Sequence, residues 1–240
     1  MNPYSHLVVA SKLDFLVQPG DPAEYYWGAV VPDIRYLAAM RRQQTHLPTQ
    51  AIVALLDRYP HLGPFIKGYL VHCLADQVDL SRIFYRRWPF SVLKNTLTHQ
   101  HLAVLLELFY LETQPASRPL SGTHNEVLDE LGLSQDISAR FARFVKQYAL
   151  STPRSSLWDM AQMLGLEHDS RIDKYVSAAK RFQSSGLLKN ALFLGIRAGK
   201  IETQIVSRVS ALYRQSGAAD FDLLPWLSRM SAPSDVQPVR

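Results

Sequence analysis

Phe65-Ile-Lys-Gly-Tyr-Leu-Val-His72-Cys-Leu-Ala-Asp76-Gln-Val-Asp-Leu-Ser-Arg-Ile-Phe84 decides how the chain reads. Apolar side chains recur here without the strict alternation of a strand, so the spacing predicts a long buried helix. Two polar residues interrupt it in a telling way. His72 and Asp76 are four apart, and on a helix such residues share a face. An imidazole and a carboxylate aimed the same way suit two ligands of one cation. A carboxylate on a buried helix is costly unless it is paired or bound to a metal. The alternative at this point is a satisfied core histidine, with Asp76 acting as a cap or pairing with Arg82.

Outward from that stretch the periodicity stays helical. A first helix is expected from about Ser5, read as its N-cap, followed by a turn-rich break over Val17 to Pro22. Further helices are expected over Ile34–Arg42, Thr49–Tyr59 behind Pro48, Leu93–Leu111 and Ser134–Leu150. Three more follow over Ile172–Phe182, Leu187–Arg197 and Ile201–Tyr213. No repeat and no useful run of alternation occurs, so the fold class is all-α. The expected organisation is a helical domain over 1–150, a linker near Ser151–Ser155, a packed C-terminal helical extension to 230, and a flexible tail over 231–240. Trp226 and Phe221 to Pro225 are expected to form a C-terminal packing segment.

Composition narrows the chemistry. At 240 residues with 47% hydrophobic content the chain can bury a core unaided. One cysteine excludes a disulfide framework and any thiolate zinc finger, so a metal would rest on imidazole and carboxylate. The net charge of +5 is divided evenly, +2 over residues 1–120 and +3 over 121–240, with no basic tail. No stable nucleic-acid complex is expected. Lys180 to Arg214 is the one local concentration of charge, and it leaves peripheral contact with an anionic membrane open. No apolar run approaches the length of a membrane span and the start lacks a basic, signal-like region, so a cytoplasmic protein is expected.

Four segments stand in order through the first third: Ser5-His6, Gly28-Ala-Val-Val-Pro-Asp33-Ile-Arg-Tyr36, Thr45-His46, and Gly68 to Asp76 with its His72. In that order they resemble the zinc-dependent phospholipase C family, which is similar in fold to the S1/P1-type nucleases. The resemblance implies an all-helical phosphodiesterase with one or two zinc ions, other divalent transition metals being able to use the same donors. It implies that Asp33, His46, His72 and Asp76 surround one ion, that Asp76 reaches toward a second, and that His6 helps hold the second. Asp33 is implied as the catalytic base that orients the attacking water. Arg35 and Arg42 are the candidates for substrate phosphate, a lipid headgroup or a nucleotide. The family's later ligands have no counterpart: no histidine follows closely on Asp76, and His99, His101, His124 and His168 lack an acidic residue four positions on. A helical scaffold that keeps a structural metal without catalysis is therefore the second expectation.

Overall fold

The computed structural model describes residues 2–114, 118–150 and 185–218, together with Ser177, Lys180, Phe182 and Ser184. The described residues form helices and connecting turns, with no strand among them. The expected linker at Ser151–Ser155, most of the helix over Ile172–Phe182, the segment around Trp226 and the tail from Ser231 lie outside the described residues. No helix among the described residues is long and apolar enough to cross a membrane.

The first helix, α1, runs Pro3–Ser11, two residues earlier than expected. Pro3 at its first position costs nothing, because that N–H has no partner in a helix anyway. After the short α2 (Asp14–Val17), Asp21 caps α3 (Pro22–Val30), its carboxylate accepting from the backbone N–H groups of Ala23 and Glu24. The expected helix over Ile34–Arg42 does not form. Pro32 instead opens a tight 3-10 turn over Val31–Tyr36, and a one-turn α4 covers Arg42–Thr45. Helix α5 (Thr49–Arg58) follows as expected.

The long central helix is shorter than its apolar pattern suggested. α6 spans Gly63–Ala75 and stops at Asp76. Asp79 then caps α7 (Leu80–Phe84), accepting at 3.0 Å from the N–H of Arg82. Residues 85–98 form turns, and α8 (His99–Thr113) begins only after Thr98, six residues later than expected. α9 (Glu126–Glu130), α10 (Gln135–Leu150), α11 (Gly186–Ala198) and α12 (Ile201–Gln215) complete the order. α12 packs on α6, α7 and α1, so the C-terminal helices share the core of the first part.

One crossing positions the site. α3 and α6 meet backbone to backbone at Gly28 and Gly68. A Cβ at Gly28 would stand 2.0 Å from the carbonyl oxygen of Phe65, and one at Gly68 would stand 1.9 Å from that of Tyr25. Nothing larger than hydrogen fits on either. Tyr25 Oη in turn donates to Ala10 O at 3.0 Å, tying α3 to α1. Three helices are thereby fixed against one another close to the ends that carry His6, Asp33 and His72.

Candidate metal centre

His72 lies fully buried on α6. Its Nδ1 is held 2.8 Å from the carbonyl oxygen of Ala29, one residue past the glycine crossing. As a donor to that carbonyl, Nδ1 carries the proton and Nε2 presents its lone pair to the site, the arrangement found behind metal-binding imidazoles. Asp76 closes α6 one turn on, with an oxygen 3.8 Å from His72 Nε2. The helical spacing read from the sequence is thus realised, although Asp76 is the cap of the helix and not an interior residue.

His46 arrives from the end of α4. Tyr69 of α6 donates its hydroxyl to the carbonyl of Thr45, which fixes the backbone there. Thr45 Oγ1 lies 3.1 Å from His46 Nδ1 and so orients the ring. His46 Nε2 then stands 3.1 Å from Asp76 Oδ2 and 3.2 Å from His72 Nε2. Two imidazole nitrogens this close repel through their lone pairs unless a proton or a cation lies between them. Zinc–nitrogen bonds near 2.0–2.1 Å in a tetrahedron put neighbouring ligand atoms about 3.3 Å apart, which is the spacing seen.

His6, on α1, stacks its ring on that of His72 at 3.6 Å between centroids and 17° between planes. Its Nε2 lies 3.3 Å from Asp76 Oδ1, the oxygen turned away from His46. Neither ring nitrogen of His6 has a hydrogen-bond partner of good geometry, and Oδ2 of buried Asp33 has none either. Buried polar atoms are almost always satisfied. Each of His6, Asp33 and His72 offers one donor atom within reach of a single cation, which would satisfy the Asp33 oxygen and one of the two His6 nitrogens.

The five expected residues are therefore gathered in one place, but not in the expected grouping. His46, His72 and Asp76 form one set of donors within reach of a single ion, and His6, Asp33 and His72 form another. Asp33 falls with His6 and not with His46. The cause is local: Pro32 winds residues 31–36 into a 3-10 turn, and Asp33 is carried toward α1.

Burial shapes the charge state. It pulls His6 down to about 4 and His72 well below the usual histidine range, the neighbouring rings adding to the effect. Both are neutral at pH 7 and able to bind a metal. Burial pushes Asp33 up to about 7, with Asp76 adding to the rise. Asp76 goes the other way: burial opposes ionisation, but the amino terminus, His6 and His46 hold it well below the ordinary carboxylate range. One carboxylate is thus firmly anionic and its neighbour is poised near neutrality, a separation that marks acid–base sites.

Arg42 closes the outer side of this cluster, its guanidinium 2.6 Å from Asp76 Oδ2 while its side chain remains nearly half exposed. Asp76 therefore pairs with Arg42 and not with Arg82. Arg35 stacks over the Tyr36 ring at 4.1 Å and lies 3.9 Å from Asp33 Oδ1. His99 sits at the rim, where burial lowers its pKa and the charges of Asp76 and Arg42 are felt. His101 does not reach the site: its Nδ1 turns back to Thr98 at 2.7 Å. His61 pairs at the surface with Glu126, and Cys73 is a buried thiol whose pKa burial raises.

One further residue supports this centre and belongs to no motif in the sequence. Glu107 is fully buried on α8 and accepts from Tyr4 N–H at 3.0 Å, Ser5 N–H at 2.7 Å and Ser5 Oγ at 2.6 Å. It satisfies the open end of α1 from across the core, and Ser5, expected as a cap, is one of its donors. The only signal was a lone acid in the apolar run from Leu102 to Leu111. Replacing Glu107 by alanine leaves two buried N–H groups and a hydroxyl without an acceptor, at about 1–3 kcal/mol each. Glu107→Ala is expected to lower stability by several kcal/mol in chemical denaturation. Burial also raises the Glu107 pKa, so the folded state favours its protonated form. This group's contribution to stability is therefore lowest above its folded pKa and recovers as pH falls through it. The wild type should accordingly gain on Glu107→Gln as pH is lowered, and a difference independent of pH would contradict the assignment.

The chain matches no protein-family model, no curated protein and no solved structure. Buried histidine and aspartate groups that could hold a metal ion define what this fold offers.

Proposed function

We propose that the protein is a zinc-dependent hydrolase of phosphoric esters, in the manner of the zinc-dependent phospholipase C proteins its first third resembles. The observation that carries the reading is the convergence of His6, Asp33, His46, His72 and Asp76, with donor atoms at tetrahedral spacing and buried atoms of His6 and Asp33 otherwise without a hydrogen-bond partner. The donors fit one ion better than two. The two donor sets share His72, and Nδ1 of that ring is already engaged with Ala29.

A zinc ion held by these residues would supply a bound water with its pKa lowered to about 7 and a Lewis acid for a phosphoryl oxygen. The chain's own residues supply the rest. Asp76, anionic, holds charge at the centre and orients the imidazoles. Asp33, buried beside His6, would orient and deprotonate an attacking water as the general base. Arg42 neutralises Asp76 at the open side, and a phosphate entering there meets its guanidinium in charge-assisted, two-pronged fashion. Arg35, stacked and already near Asp33, serves better to hold that carboxylate than to reach substrate.

The test is turnover of bis-nitrophenyl phosphate, phosphatidylcholine and single-stranded DNA by zinc-loaded protein, with Asp33→Asn alongside. Hydrolysis of at least one ester, cut by roughly a hundredfold or more in Asp33→Asn while zinc stays bound, is expected for a lost general base. Stoichiometric zinc with no turnover of any of the three would favour the helical scaffold with a structural metal, the reading motivated by the absent downstream histidines.

A further inference from the structure

Five large hydrophobic side chains stand exposed among the described residues: Phe15, Trp88, Val92, Leu187 and Leu194. Four of these belong to two segments that touch. The turns at 85–98 lay Pro89 and Phe90 against α11 so closely that a Cβ on Gly195 would come within 2.4 Å of Pro89 Cδ. A Cβ on Gly199 would come within 3.2 Å of Arg87 Cγ. Pro89 and Phe90 are buried and anchor the segment, while Trp88 at 68% and Val92 at 71% exposure are turned out. Leu194, beside Gly195, is 62% exposed, and Leu187 lies two helical turns before it on the same face. Exposed apolar side chains carried by two segments locked together in this way are more than the scattered exposure of a normal surface.

Its charge is one-sided. No acidic residue occurs from Leu80 to Leu106, whereas Arg86, Arg87 and Lys94 are all exposed within the turns. Lys180 to Arg214 is thus not the chain's sole cationic stretch. Two of its members already have partners, Lys189 on Glu112 at 2.7 Å and Arg197 over the Phe109 ring at 5.8 Å. Arg86, Arg87 and Lys94, all exposed, flank Trp88 along the chain. An indole and aliphatic side chains rimmed by Arg and Lys match the boundary between lipid headgroups and acyl chains. A nucleic-acid strand would call for further flat rings to stack its bases, and Val92 and Leu194 offer none.

We propose that this face docks the protein on an anionic bilayer, with Trp88, Val92 and Leu194 entering the headgroup region and Arg86, Arg87 and Lys94 meeting lipid phosphates. Docking here does not depend on the hydrolase reading. The chain leaves the metal centre at Asp76, forms this face and returns to the rim at His99, so a docked protein would hold its centre beside the lipid surface.

The experiment is co-sedimentation of the full chain with vesicles of phosphatidylcholine alone or mixed with phosphatidylglycerol, without added zinc or substrate. The wild type is expected to sediment with mixed vesicles and not with the neutral ones. Trp88→Ala should weaken partitioning roughly tenfold, the value of one large buried side chain. Arg86→Glu with Arg87→Glu should weaken it at least about 25-fold, near fivefold for each cation lost. Arg58→Glu, which changes a cation paired with Glu130 elsewhere, should bind as the wild type does. All four positions are exposed, and an unchanged melting temperature confirms folding. Failure of the wild type to bind mixed vesicles overturns the proposal. So does wild-type binding by Trp88→Ala and the double Arg variant. Concentration-dependent dimers abolished by Trp88→Ala, or binding of a single-stranded oligonucleotide lost in these variants without vesicle binding, would assign the face to a second copy or to nucleic acid and overturn it equally.

Discussion

Purified protein incubated with zinc and desalted is expected to retain one ion per chain, and Asp76→Asn is expected to retain none. The substitution is close to isosteric, so it removes charge at the centre with little change in volume. What it removes is the partner of every imidazole present: Asp76 lies 3.1 Å from His46, 3.3 Å from His6 and 3.8 Å from His72. It also leaves Arg42 facing three imidazoles with no anion between them. Loss of a residue that only orients a ligand weakens metal binding 10–100-fold, and loss of a ligand should exceed about 100-fold. His72→Ala should do the same, with an added stability cost from the cavity it opens. Asp79→Asn is the contrasting variant, since Asp79 caps α7 and gives the centre nothing. It should keep its zinc. A second readout needs no metal analysis: an ion that binds only the folded state stabilises it by about 4 kcal/mol at a thousand times its Kd. Zinc should therefore raise the melting temperature of the wild type and of Asp79→Asn, and leave Asp76→Asn unmoved. Negligible zinc in all three proteins would remove the metal centre from consideration.

The legibility of this centre was uneven for physical reasons. His72 and Asp76 were readable because helical spacing converts directly into a shared face. His6, Asp33 and His46 were readable only through their order along the chain, and their grouping was not, because the 3-10 turn forced by Pro32 redirects Asp33. The helix expected over Phe65–Phe84 overruns the observed one because apolar side chains continue past Asp76, and Asp79, which caps the next helix, is one of several polar residues among them. The same limit applies to Leu93–Leu111. Leu93 and Leu97 pack inward from the turns at 85–98, so their burial does not signal a helix there. Glu107 was invisible as a builder of the site because its partners, Tyr4 and Ser5, lie about a hundred residues away. Gly28 and Gly68 fell inside quoted motifs, yet isolated helix glycines read only as a small local penalty. Their role exists only in the crossing.

That crossing carries the second large expected effect. Gly68→Ala would place a methyl group 1.9 Å from the carbonyl oxygen of Tyr25, and Gly28→Ala one at 2.0 Å from that of Phe65. The obstructing atoms are backbone, so no side-chain rotation relieves the overlap. The helices themselves must part by more than about 1 Å to restore van der Waals distance. Ordinary overpacking of a core costs 1–3 kcal/mol, and part of that comes from side chains that can move. Here none can, so either variant should lose more than about 3 kcal/mol, against the 5–15 kcal/mol total stability typical of a domain. On propensity alone the change would be mildly stabilising, since alanine exceeds glycine in a helix interior by up to about 1 kcal/mol. The sign of the measured effect thus separates the two arguments cleanly. Chemical denaturation of Gly68→Ala is expected to show a sharply lowered midpoint, or no folded protein. Any folded fraction should bind zinc more weakly, because parting α3 from α6 draws the Ala29 carbonyl away from His72 Nδ1 and frees the ring to turn. A Gly68→Ala protein as stable as the wild type, with undiminished zinc affinity, would show that α3 and α6 do not meet at these glycines and that His72 is held by something other than the crossing.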